Sequence, residues 1–185
     1  MTRQEMVALH FEIVYDTVER NVGGMTHEQS LARPAAGGNC ANWILGHLVD
    51  MHNGLMQAVG EDPVWESDQL ARAGFDPIEG PESAIDWDTL RDRFLGSRER
   101  CLAAVGALSD DALAEELPAP FGGTISRAGL LVILAFHQAY HAGQLGLARR
   151  FAGLPGAIKG PGQDAAETGA GAAEDGSSAQ PAARR

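Results

Sequence analysis

The sequence predicts an all-α protein, a four-helix bundle with one long connection between its second and third helices. Three observations lead to this fold class. Four long segments place apolar residues at helical spacing. No segment shows sustained strand alternation, and no dipeptide gives a strong hairpin signal. No internal repeat is present that would favour a solenoid.

The first two predicted helices each carry one apolar stripe. The first helix has Met6, Leu9 and Ile13 beside its stripe, and the second begins after "AAGG" with Asn39 as its N-cap. The stripe of the first helix consists of Val7, Phe11, Val14 and Val18. The stripe of the second helix consists of Ile44, Leu48, Met51, Leu55 and Val59.

The third predicted helix opens near Ser83 to Asp86 and extends to Leu108. The connection before it, "GEDPVWESDQLARAGFDPIEGPE", is interrupted by Pro and Gly, and we expect one short helix in it, around Ser67 to Ala73. A further stretch, "SDDALAEEL", predicts another single short helix.

The fourth predicted helix starts with Thr124 or Ser126 as its cap and runs to about Gly153. It is apolar nearly all round from Ala128 to Phe136, which predicts the most buried helix of the four. Its later half contains small residues that predict close packing of neighbouring backbones: Ala135, Ala139, Ala142, Gly143 and Gly146.

The chain divides by composition into residues 1–158 and 159–185. After Ile158 there is no Val, Ile, Leu, Met, Phe, Trp or Tyr, so the last segment cannot bury enough apolar surface to offset the entropy of ordering. We therefore expect one helical domain over residues 1–158 and a disordered Ala/Gly-rich tail over 159–185.

The charge excludes several classes of partner. The net charge is −11, Lys159 is the only lysine, and the arginines are scattered, so neither nucleic acid nor an anionic membrane is expected to bind.

The N-terminal segment lacks the unbroken apolar core of a signal peptide, and Cys40 and Cys101 form no C-x-x-C pair. We expect a cytoplasmic protein with two reduced thiols.

Two histidines in the fourth helix, within "AFHQAYHAGQL", predict a metal site. His137 and His141 are four residues apart, about 40° of rotation and 6 Å of rise, so both rings project from one face. Imidazoles inside an apolar helix need partners for their nitrogens, and a shared cation satisfies both at once. Hydrogen-bonded core histidines are the alternative. A zinc-peptidase motif is excluded because position 138 is Gln, where that motif has Glu.

A zinc-type site needs a third ligand, and His47 is the leading candidate because it lies mid-helix with Gly46 beside it. His52 is about 140° further round the same helix and cannot share that face. His10 is expected to face inward, near the site or as a hydrogen-bonded core residue. His27 lies in a polar loop.

The segments "NCANWILGHLVDMHNGL" and "FHQAYHAGQLGLARRFAGLP", in this order, resemble the DinB and YfiT-like family of small bacterial helical bundles. The resemblance covers nearly all of residues 1–158 and implies a divalent metal held by His47, His137 and His141. It further implies that some relatives are metal-dependent S-transferases using low-molecular-weight thiols, others are isomerases or hydrolases, and a homodimer is compatible with the family.

Three neutral imidazoles leave at least one coordination position open for water or a thiolate, and a small-molecule substrate is the expected partner. A non-catalytic metal- or ligand-binding protein is the alternative. Imidazole suits Zn, Ni, Fe and Cu alike, and the expected divalent metal is Zn, Ni or Fe.

Four further side chains are given provisional roles. Asp50, three residues after His47, is a candidate fourth ligand, hydrogen-bond acceptor or general base, or a solvated side chain. Gln144 is a candidate substrate contact or a helix-packing hydrogen-bonding group, and Tyr140 is expected to pack against a neighbour. Arg98 is expected to lie at the edge of the bundle, with binding of a cofactor carboxylate as the alternative.

Overall fold

A computed structural model describes residues 1–35, 37–65, 77–78 and 80–159. Within these residues the chain is mainly helical, with one small antiparallel hairpin, which confirms the predicted all-α class. The predicted short helix at 67–73 and the tail beyond residue 159 lie outside the described residues. The elements are α1 (Arg3–Val22), α2 (His27–Ser30), α3 (Ala41–Val59), α4 (Trp87–Gly96), α5 (Arg98–Gly106), α6 (Asp110–Ala114), β1 (Glu116–Pro118), β2 (Thr124–Ser126) and α7 (Arg127–Phe151).

Side-chain caps fix most of the helix starts. Thr2 and Glu5 form a capping box at the start of α1, Asp86 caps α4, and Ser126 caps α7. The N-cap of α3 is Cys40 rather than the predicted Asn39, and no side-chain hydrogen bond is made there. The shift is one residue, because the helix begins where the backbone turns helical whether or not a capping group is present.

The bundle has an up-down-down-up arrangement. Along α1 and α7, Asn21 near the end of α1 donates to the Ala142 carbonyl in the later half of α7, so these two helices run parallel. Near the start of α3, Asn42 bonds Ile85, just before α4, and near the end of α3, Met56 contacts Cys101 of α5. Helix α3 and the α4–α5 unit therefore also run parallel. Parallel neighbours require a connection that returns the chain along the bundle, which explains the long segment between α3 and α4.

The third predicted helix is divided into α4 and α5 at Ser97. The Ser97 hydroxyl donates to the Phe94 carbonyl at 2.7 Å and also contacts Tyr15 and His52. Hydrogen bonds from a serine side chain to the preceding turn, next to a glycine such as Gly96, bend helices. The prediction of one continuous helix was therefore wrong at this position, although both halves lie where it placed them.

The hairpin was not predicted. Glu116 pairs with Ser126 and Pro118 with Thr124, while Gly122 and Gly123 adopt positive φ values of 93° and 76° in the turn. Three residues per strand are too few for an alternation to be visible in the sequence. The predicted short helix in "SDDALAEEL" is confirmed as α6.

Helix α7 is less buried than predicted. Leu131, Ala135 and Leu145 face the core, but Val132 and Phe136 are 56% and 73% exposed. Gly146 packs closely on Asn21, as the small residues predicted, whereas a side chain at Gly143 would meet nothing within 4 Å. Among the described residues, part of the apolar circumference of α7 therefore stays exposed.

Two buried arginines join the ends of the helices. Arg127 donates to the Ala58 carbonyl near the end of α3 and pairs with Glu115 at 2.5 Å. Arg149 donates to the carbonyls of Asn21 and Gly23 at the end of α1 and to Pro155. Unpaired carbonyls at the C-terminal ends of α1 and α3 thus receive cationic donors.

Candidate metal site

Three histidine side chains from two antiparallel helices meet inside the bundle. His47 comes from the middle of α3, and His137 and His141 come from successive turns of α7. The Nε2 atom of His137 lies 3.4 Å from Nε2 of His47 and 3.1 Å from Nε2 of His141. The predicted third histidine therefore reaches the predicted pair across 90 positions of sequence.

The spacing of the three nitrogens fits a metal ion. An ion about 2.0–2.1 Å from each imidazole nitrogen, at tetrahedral or octahedral angles, holds neighbouring nitrogens about 2.8–3.4 Å apart. Both measured distances lie in this range, and the ligand atoms of all three residues lie within 4.8 Å of one another. The cluster could hold a metal ion.

Gln144 sets the tautomer of His141. The Nδ1 atom of His141 lies 2.8 Å from Oε1 of Gln144, and the Gln144 amide nitrogen donates to the Tyr140 hydroxyl at 3.0 Å. An amide oxygen only accepts, so Nδ1 of His141 carries the hydrogen and its Nε2 presents a lone pair to the cluster. Metal-binding histidines are commonly oriented by such an outer hydrogen bond.

Burial keeps the α7 histidines in the neutral form that binds metal. Desolvation lowers the pKa of His141 to about 4, with the Gln144 hydrogen bond acting in the opposite direction and His47 and His137 lowering it further. Desolvation, and then the neighbouring His47, lower the pKa of His137 as well. Both side chains are therefore ready to donate lone pairs at neutral pH.

Aromatic rings hold the imidazoles in place. The indole of Trp43, one turn before His47, stacks on its ring with centroids 5.2 Å apart and planes 14° from parallel. Tyr140 packs edge-on against His141 at 5.2 Å, which confirms the expectation that it packs against a neighbour. The sequence reasoning missed Trp43, although its spacing of four residues from His47 places it on the same helix face.

Asp50 lies beside the cluster but does not belong to it. Its carboxylate oxygens are not among the grouped ligand atoms, which come from His47, His137 and His141 alone in the described part of the chain. Burial raises the pKa of Asp50, and the charge of His47 acts against this rise. Asp50 also lines an open cavity of about 620 Å³ with Met51, Asn53 and Gly54. Asp50 is therefore not one of the three grouped ligands, and its roles as hydrogen-bond acceptor or general base stay predictions.

His10 does not face inward, so that prediction was wrong. The His10 side chain is exposed, and its Nδ1 atom lies 2.8 Å from the Met6 carbonyl of its own helix. His10 lies at the edge of the apolar stripe of α1. Apolar residues flank this stripe, so the sequence pattern alone could not show which side of the helix packs against the bundle. His10 therefore takes no part in the three-histidine cluster.

The remaining predicted groups lie elsewhere. His52 is fully buried on the opposite side of α3, as its rotation predicts, and its Nδ1 bonds Ser97 at 2.7 Å. His27 is exposed at the start of α2. Arg98 pairs with Asp16 at 2.7 Å and with two further carboxylates of α1, which confirms its position at the bundle edge. Cys40 is buried and free.

The fold and the cluster define a helical bundle with a candidate three-histidine metal site. The chain belongs to the DinB superfamily, whose family model matches residues 10–145. No curated protein matches the chain. Among solved structures, the chain is similar to a conserved protein from Enterococcus faecalis, with a TM-score of 0.65, 17% identity, and coverage of 82% of this chain and 98% of that one. At this identity the likeness concerns the fold alone.

None of the described helices is both long enough and apolar enough to cross a bilayer.

Proposed function

We propose that the protein is a divalent-metal-dependent enzyme that acts on small molecules, as a thiol S-transferase or a hydrolase. The observation that carries the proposal is the convergence of three imidazole Nε2 atoms, with neighbouring separations of 3.1 and 3.4 Å. The proposal includes a cytoplasmic location, which is supported by two buried cysteines that remain free thiols.

The number of ligands supports an enzyme over a storage or structural site. Structural zinc sites are usually closed by four protein ligands, while catalytic sites have three and leave a position open. In the described part of the chain, only three residues contribute to the cluster. Asp50 and His10, the candidates for closing the site, lie outside it.

The chemistry would be nucleophilic attack on an electrophilic substrate. A divalent ion with an open position lowers the pKa of water or of a thiol bound there, so that a nucleophile is available at neutral pH. Around it, Gln144 fixes the tautomer of His141, and Trp43 limits rotation of His47. Asp50 is half-buried with a raised pKa, which makes it a stronger base than a solvated carboxylate and a candidate to accept the proton that the nucleophile releases.

The first test is metal content. The chain is purified without metal, incubated with Zn²⁺, Ni²⁺ or Fe²⁺ in turn, desalted, and analysed for metal by mass spectrometry. We expect about one ion per chain in the wild type and in the His10→Ala control, and a large loss in His137→Ala. Absence of stoichiometric metal in the wild type with all three ions would refute the proposal.

The second test separates catalysis from binding. The loaded protein is screened for conjugation of low-molecular-weight thiols to electrophiles and for ester and amide hydrolysis, with Asp50→Asn beside the wild type. Turnover that requires the metal and falls in Asp50→Asn supports the enzyme. Metal retention with no turnover in any assay would favour a non-catalytic metal-binding protein.

A further inference from the structure

A cavity of about 280 Å³ begins next to the three-histidine cluster. It lies between the first turns of α3, the later half of α7 and the loop that precedes α3. On α3 its lining includes Ile44, three residues before His47, and on α7 it includes Gln144, three residues after His141. Three residues are nearly one helical turn, so the cavity begins about one turn from the cluster on both helices. We name it the Gln144 cavity.

The Gln144 cavity is separate from the cavity beside Asp50. Asp50 lies three residues after His47 and Ile44 lies three before it, so the two cavities lie on opposite sides of the cluster along α3. The cavity beside Asp50 has a second carboxylate in its lining, that of Glu61. None of the described residues that line the Gln144 cavity is charged. The two cavities therefore suit different chemical groups.

The lining of the Gln144 cavity combines apolar side chains with bare backbone. The apolar part is formed by Ile44, Leu147 and Phe151. The loop contributes Gly37 and Gly38, whose φ values of 93° and 125° favour glycine, so no side chain projects from these positions into the cavity. Small-molecule sites are mostly apolar with a few placed polar groups, and this lining has that composition.

Gln144 retains hydrogen-bonding capacity for a ligand in this cavity. Its amide oxygen accepts from His141, and its amide nitrogen donates to Tyr140. A glutamine amide has two N–H groups and two acceptor lone pairs, so one of each remains unused by these two bonds. The side chain that orients His141 therefore also supplies a polar contact in the cavity wall.

We propose that the Gln144 cavity binds the non-reacting part of the substrate, and that this part is an uncharged organic group about the size of an aromatic ring. The inference rests on the proposed function, because it places the reacting atoms at the three-histidine cluster. A cavity of about 150 Å³ already holds a benzene ring, so 280 Å³ accommodates a ring with a short linker. A carboxylate or phosphate would lose water in this cavity without meeting a cation, so anionic substrates are disfavoured.

The test is the binding of hydroxamates to the full chain, loaded with the divalent ion that it retains most tightly and followed by isothermal titration calorimetry. The hydroxamate oxygens bind the ion, and the substituent reports on the neighbouring cavity. We expect benzohydroxamate to bind at least about 10-fold more tightly than acetohydroxamate, because its ring is removed from water. 4-Carboxybenzohydroxamate should bind at least about 10-fold more weakly than benzohydroxamate, because its carboxylate is desolvated without a cation.

Two variants reduce the Gln144 cavity, and a third reduces the other cavity as the matched control. Leu147→Trp and Ala148→Leu should lower the preference for benzohydroxamate to under about 2-fold and retain the affinity for acetohydroxamate. Leu147 is 57% exposed, so its replacement leaves the core intact even if Ala148→Leu, at a buried position, disturbs it. Gly54→Leu enters the cavity beside Asp50, where a side chain meets nothing within 4 Å, and should keep the full preference.

Metal content and circular dichroism report whether each variant retains the site and the fold. Loss of the preference in folded, metal-binding Leu147→Trp, with the preference kept in Gly54→Leu, would support the inference. A loaded wild type without the preference, a preference that survives in Leu147→Trp, or one that is lost in Gly54→Leu would overturn it and leave the proposed function standing. A wild type that retains no divalent ion would overturn both.

Discussion

The Nδ1 atom of His141 donates a hydrogen bond of 2.8 Å to Oε1 of Gln144, one turn later on the same helix. This bond leaves Nε2 of His141 free to donate its lone pair to an ion. Gln144→Leu should therefore weaken metal binding about 10- to 100-fold while the fold is retained. Competition with a chromophoric chelator measures the affinity.

Gln144→Glu is the matched control, because a carboxylate accepts the same hydrogen bond. Its affinity for metal should equal or exceed that of the wild type. An unchanged affinity in Gln144→Leu would show that the orientation of His141 is set by packing alone.

Zinc or nickel should stabilise the native chain. An ion that binds only the folded state adds about 2.7 kcal/mol at a free concentration 100 times its dissociation constant. We expect the melting temperature to rise by several degrees in the wild type and in His10→Ala, and to stay unchanged in His47→Ala. Equal shifts in all three proteins would place the binding site elsewhere. Differential scanning fluorimetry with and without a chelator measures the shift.

The metal-free chain should lose stability in mild acid. Burial lowers the pKa of His52 to about 3 in the folded protein, while its ordinary value is 6.5. Below pH 6.5, His52 binds a proton in the unfolded chain but not in the folded protein, which favours unfolding. The stability that neutral His52 contributes is therefore complete above pH 6.5 and falls as the pH approaches 3. The slope for one such group is about 1.4 kcal/mol per pH unit.

Urea unfolding between pH 5 and 8 measures this slope. His52→Leu removes the titrating group. The slope of unfolding free energy against pH should therefore fall, relative to the wild type, by the amount that corresponds to about one proton. His141, whose pKa is lowered to about 4, adds to the slope in both proteins. An identical pH dependence in wild type and His52→Leu would mean that His52 is protonated in the folded state.

Arg149 should contribute strongly to stability. Its guanidinium donates to the carbonyls of Asn21, Gly23 and Pro155 and is 9% exposed. Arg149→Leu removes the donor from these three carbonyls, of which that of Asn21 belongs to a buried residue, and should cost about 1–3 kcal/mol of unfolding free energy. Arg150→Leu, at the exposed neighbouring position, should cost under about 0.5 kcal/mol. Equal losses in the two variants, measured by urea denaturation, would contradict this role.

Helical geometry explains how much of the site could be predicted. The H-x-x-x-H spacing of His137 and His141 fixes two rings on one face, whatever surrounds the helix. His47 could be added because it lies mid-helix in an apolar segment and matches the pattern of a known family. The outer contacts of Trp43 and Asp50 could not be predicted in detail, because they depend on how α3 rotates against α7.

The same limit applies to the fold. Apolar spacing identified all four long helices, but α1 has two adjacent apolar flanks, and the sequence did not reveal that the flank containing Met6 and Ile13 stays exposed. The break at Ser97 depends on contacts with Tyr15 and His52 from two other helices. Local propensity cannot anticipate such tertiary contacts.

The central claim is that His47, His137 and His141 bind one ion together. A crystal structure of the zinc-loaded chain, with anomalous data collected at the zinc edge, tests it most directly. We expect one strong anomalous peak about 2.0–2.1 Å from Nε2 of each of the three imidazoles. A peak elsewhere, or an ion bound to the α7 pair with the His47 ring turned away, would contradict it.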